Sequence, residues 1–70
     1  MTTVERKKYA IAIIEHHLSD SPHRYAISGC SYKDAVSICG MVDRRLDTYG
    51  IIDAQCDMSY KDGIARFDIC

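Results

Sequence analysis

The sequence predicts a two-layer α+β sandwich of order α-β-α-β-β, with a three-stranded antiparallel sheet and both helices on one face. Three observations carry that expectation. Two segments repeat apolar residues at helical spacing, and each opens with a capping signature. The last twenty residues alternate apolar and polar around an Asp-Gly pair, the mark of a tight hairpin. The chain has 70 residues, 47% hydrophobic and 27% charged, enough for one compact domain over 1–70 with a thin core.

The first helix is expected at 3–18. Thr2 caps it, Glu5 reaches back to the cap, and Ser19-Asp20-Ser21-Pro22 stops it. At 3.6 residues per turn, Val4, Lys7 (through its stem), Ala10, Ile11, Ile14 and Leu18 form the stripe assigned to the core. The segment 23–28 reads as a short strand with Tyr25 and Ile27 inward, ending at Gly29. Ser31 and Asp34 then supply a second capping signature for a helix over 32–48, with Gly50 as its left-handed stop. Its core face is Ala35, Val36, Cys39, Val42, Leu46 and Tyr49, and Gly40 inside it costs about 1 kcal/mol relative to Ala.

Over 51–60, Ile52, Ala54, Cys56, Met58 and Tyr60 alternate with Asp53, Gln55, Asp57 and Ser59. A two-residue Asp62-Gly63 loop sets Tyr60 against Ala65, Met58 against Phe67 and Cys56 against Ile69, so that inward residues meet inward residues. A three-residue loop mixes the faces. The final strand is then central, Cys56 points inward and Cys70 outward, and 51–60 is an exposed edge through which a homodimer can pair.

Composition excludes several function classes. Nine Lys plus Arg against ten Asp plus Glu give a net charge of -1, which removes the electrostatic case for generic nucleic-acid binding. The apolar run Tyr9–Ile14, closed by Glu15-His16-His17, is too short for a signal sequence or for the ~20 residues of a membrane span. A cytoplasmic location is therefore expected, with Cys30, Cys39, Cys56 and Cys70 as free thiols.

Several constellations bear on chemistry. Cys30, between a strand end and a helix start, is placed for a lowered pKa, with His23 and Arg24 as base and anion clamp; without a positioned base, a small residue in a tight turn is the plainer reading. Gly29 and Ser31 present amides at the same helix start, but no P-loop accompanies them. His16, His17 and His23 lack ligand spacing, so neither a metal nor a cofactor is expected. On the outer sheet face Asp57 lies opposite Asp68, with Arg66 diagonal to relieve them and Asp53 and Gln55 continuing the row. Tyr9, Ile13 and His16 form a ridge off the core stripe of the first helix.

These features favour a non-enzymatic protein-binding module, an inhibitor or adaptor occluding a surface of a larger protein or ribonucleoprotein complex. Asp53, Asp57, Arg66 and Asp68 are the expected contact residues, with Tyr9, Ile13 and His16 as a second patch. A small nucleic-acid-associated regulator and a Cys30-dependent thiol enzyme are the alternatives. At the level of class alone, so small a motif-free domain resembles the inhibitors and adaptors of phages and mobile elements, anti-CRISPR-type proteins included.

Overall fold

A computed structural model describes residues 1–20 and 23–70. Its elements run α1 (Thr3–Leu18), β1 (Tyr25–Ser28), α2 (Tyr32–Arg45), a single 3-10 turn (Asp47–Tyr49), β2 (Cys56–Lys61) and β3 (Ile64–Ile69). The sheet is antiparallel in the order β1-β3-β2, and both helices lie on one of its faces.

The hairpin forms because Asp62 (φ 53°) and Gly63 (φ 74°) both take the left-handed conformation of a type I′ turn, whose twist matches the strands it joins. Its register is the one that keeps apolar residues together: Cys56 against Ile69, Met58 against Phe67, Tyr60 against Ala65. β1 adds on the other side of β3, with Tyr25 against Phe67 and Ile27 against Ala65. Gln55 and Cys70 exchange both backbone hydrogen bonds. Counting alternately from that pair, the backbone groups of Cys56, Met58 and Tyr60 point away from β3, to the free edge of β2.

That edge is shorter than the expected 51–60. Asp53 has φ 58° and Ile52 is 75% exposed, so the chain joins the ladder only at Gln55. The cause lies upstream. Gly50 turns left-handed and the Ile51 amide bonds back to the Leu46 carbonyl, which spends residues 50–54 on leaving the helix. At its start the edge is closed by α2: Asp43 accepts the Cys56 amide at 2.6 Å and the Cys39 thiol lies 3.5 Å from the Cys56 carbonyl. Covering an edge in this way discourages strand addition there.

The capping box of α1 is present, with Glu5 N–H donating to Thr2 Oγ1 (3.1 Å) and Thr2 N–H to Glu5 Oε1 (2.9 Å). Ser19 stands at its C-cap, while the Ser21-Pro22 part of the expected stop falls outside the described residues. The rotation of α1 departs from expectation. Its buried residues are Ala10, Ile13 and Ile14, whereas Val4 (65%) and Leu18 (53%) of the expected stripe face solvent. On α2 the core is Ala35, Ile38, Val42 and Leu46, with Val36 exposed and Ile38 in its place; α2 ends at Arg45, short of 48. Phe67, Ile27, Cys56, Ala65 and Ile69 close the core from the sheet.

One polar group joins the two helices. Asp34 is buried at the first turn of α2, where its Oδ1 accepts from Arg6 Nε (3.0 Å) and Nη2 (2.8 Å) on α1, and its Oδ2 lies 3.3 Å from the α-ammonium. The Arg6 guanidinium holds this carboxyl below the usual carboxylate range against the opposing effect of burial, and Ser31 adds to the lowering. The sequence marks Asp34 only as part of a capping signature; its carboxylate serves helix–helix docking.

Candidate functional site

With both helices on one side, no element among the described residues covers the other face of the sheet. The pairings arrange it in rows across three strands. Arg24, just ahead of β1, falls in line with Asp68 and Asp57; the second row is Ala26, Arg66 and Ser59; the third is Ser28, Ile64 and Lys61. Rigid strands fix all but Arg24, and the alternation that sends Tyr25, Ile27, Phe67 and Met58 to the core turns these residues outward.

The face is electrostatically mixed. Asp57 and Asp68 are direct cross-strand neighbours, an arrangement that costs energy unless a cation joins them. The cation is Arg24: its Nη2 lies 3.7 Å from Asp57 Oδ2 and its Nε 4.0 Å from Asp68 Oδ2. Arg66, expected in that role, makes no ion pair among the described residues and is exposed between the small side chains of Ala26 and Ser59. The side chains of Arg24, Asp57 and Asp68 are 45, 56 and 47% exposed, so these long contacts are weak and open to exchange with a partner.

Arg24, Lys61 and Arg66 against Asp57 and Asp68 leave the face at +1, which overturns the expected acidic strip. Asp53 is not part of it, because its left-handed residue lies in the connection before the ladder.

The second expected patch comes apart for the same reason that α1 is rotated. Ile13 is 2% exposed and belongs to the core, and Tyr9 is half-buried against it. His16 is half-buried, donates through Nε2 to the His23 carbonyl (2.5 Å), and meets the Tyr25 ring edge-on at 5.5 Å. It ties the end of α1 to the approach to β1. What α1 presents outward is the set Lys8, Ile11, Ala12 and Glu15, which with His16 and Tyr25 lines a shallow groove of about 460 Å³.

Cys30 does not have the surroundings of an activated thiolate. It is 3% exposed, its Sγ lies 3.3 Å from the Ser31 carbonyl, and burial, then the Asp34 charge, push its pKa up. Its own carbonyl accepts from the Tyr60 hydroxyl at 2.7 Å and its amide donates to Gly63, so the residue locks the β1–α2 turn onto the hairpin. The Arg24 expected as its anion clamp is engaged on the outer face of the sheet. Burial likewise raises Cys39 and Cys56, and all four cysteines are free. Among the described residues no three His, Cys, Asp or Glu side chains converge as a metal site, and no helix is long and apolar enough to cross a membrane.

The role of Arg24 was accessible in principle: the expected strand 23–28, which the structure shortens to Tyr25–Ser28, already turns Arg24 away from Tyr25 and Ile27, and registering it on β3 places Arg24 in the row of Asp57 and Asp68. That register depends on the β1–α2 turn, for which the sequence has no pattern as specific as Asp62-Gly63. Compared with family models, curated proteins and solved structures, the chain matches none of them.

Proposed function

We propose that this protein works by contact, as a small inhibitor or adaptor that covers a functional surface of a larger protein or ribonucleoprotein, and that it docks through the bare sheet face with Arg66 as anchor. The observation behind this reading is the position of Arg66: mid-sheet, exposed, framed by Ala26 and Ser59, without an ion pair among the described residues, while the neighbouring carboxylates are occupied by Arg24. An arginine in a shallow frame of small residues is a common centre of binding energy, because its planar fork grips a carboxylate in two hydrogen bonds. The complementary surface carries an acidic side chain for Arg66 and a basic one for the Asp57–Asp68 pair. Host defence and regulatory complexes are the class of target, as for the phage and mobile-element inhibitors whose size this chain shares.

Affinity capture from the native cell, read by quantitative mass spectrometry, tests the reading. A partner held by the wild type should fall at least about tenfold with Arg66→Glu and stay with Lys33→Glu on the helical layer. Equal capture by Arg66→Glu contradicts it. Retardation of labelled DNA or RNA at low salt, abolished by Arg66→Glu, favours the nucleic-acid-associated regulator instead.

A further inference from the structure

The outward face of α1 holds an apolar stripe that the fold does not use. Val4, Ile11 and Leu18 recur every seven residues, and Val4 (65%) and Leu18 (53%) are among the most exposed large apolar side chains of the protein. Ile11 is half-buried between them and Ala12 beside it is small. Lys8 and Glu15 interleave at four- and three-residue steps, giving the 4-8-11-15-18 spacing of a seam between two helices. Over Val4 to Leu18 the stripe runs about 21 Å along a helix rising ~1.5 Å per residue.

The charges on this stripe fit a copy of itself. When two α1 helices lie antiparallel across a two-fold axis at Ile11 and Ala12, position 8 of one stands opposite position 15 of the other, and position 4 beside position 18. Lys8 then meets the second copy's Glu15, Glu15 meets the second copy's Lys8, Val4 packs on Leu18 at both ends, and Ile11 and Ala12 meet at the axis. Each charge finds its opposite and each apolar residue an apolar one, as a two-fold interface requires. In a parallel pairing the two Lys8 and the two Glu15 side chains would oppose their own kind.

We infer that the protein forms a two-fold dimer through the outward face of α1, with Val4, Ile11 and Leu18 as its apolar seam and two Lys8–Glu15 pairs fixing the antiparallel sense. The free edge of β2 is the poorer candidate, since Asp43 and Cys39 of α2 close its first residue. A net charge of -1 per chain offers little repulsion to association. The dimer leaves both bare sheet faces uncovered, on the layer away from α1, and it does not depend on what those faces bind.

Sedimentation equilibrium of the full chain tests the inference. The wild type should approach twice its 7.9 kDa with rising concentration. Leu18→Glu, at a position exposed in the single chain, should keep its circular dichroism and weaken association by roughly a hundredfold, since its side chain is lost from two symmetric contacts. Lys8→Glu should weaken it about tenfold, and the double swap Lys8→Glu/Glu15→Lys should restore it to within about threefold. A wild type that stays at 7.9 kDa up to ~1 mM, a dimer indifferent to Leu18→Glu, or a double swap no better than the single reversal overturns it.

Discussion

Three of the four thiols sit where a thiolate would be poorly solvated. Cys30 and Cys56 are buried and Cys39 is half-buried, and burial raises each above the ordinary cysteine range. Cys70 is exposed. Since the thiolate is the reacting species, a coloured disulfide reagent at pH ~8 should titrate one thiol promptly and the other three only after unfolding. Prompt reaction at Cys30, located by peptide mapping, would contradict this account of its surroundings and favour the thiol-enzyme alternative. The same residue scale separates the two arginines of the sheet face. Arg24 stands between two carboxylates that would otherwise repel, whereas Arg66 is left to solvent or to a partner.

Among the elements, two glycines make opposite demands. Gly63 holds φ 74° in the hairpin turn with open space around it, so Gly63→Ala meets no steric contact and suffers only the left-handed backbone cost, about 1 kcal/mol or somewhat more. Gly40 lies inside α2, where an added Cβ would meet only the tip of Arg44 at 3.5 Å, so Gly40→Ala should stabilise by about 0.5–1 kcal/mol. Urea unfolding of the two variants should therefore move the midpoint in opposite directions; a shift in the same direction contradicts one of the two backbone assignments. The hairpin was legible in the sequence because turn chemistry and two-residue periodicity agree on a single register. Helix α1 was legible in extent but not in rotation. It carries apolar residues on two stripes, Ala10-Ile13-Ile14 and Val4-Ile11-Leu18, and periodicity alone cannot say which one faces the sheet. In the fold Ala10, Ile13 and Ile14 are buried in the core, Arg6 reaches Asp34 of α2, and Val4 and Leu18 stay outside. The start of β2 is not legible from periodicity, because alternation runs on through Ile52 and Asp53 whereas the helix exit at Gly50 uses those residues to turn.

For the whole molecule, a three-stranded sheet with both helices on one side necessarily leaves one face bare. Among the described residues no element forms a third layer over it. A bare face made of rigid strands needs little ordering to bind a partner. Carbon-detected methyl NMR places the partner most directly, because Ala26 and Ile64 point out of the sheet face while Ile11 and Ala12 mark the outward side of α1. On addition of the partner captured by the wild type, the Ala26 and Ile64 methyl signals should shift or broaden while those of Ile11 and Ala12 stay in place. Unmoved Ala26 and Ile64 signals, with Ile11 and Ala12 responding, would contradict docking through the sheet.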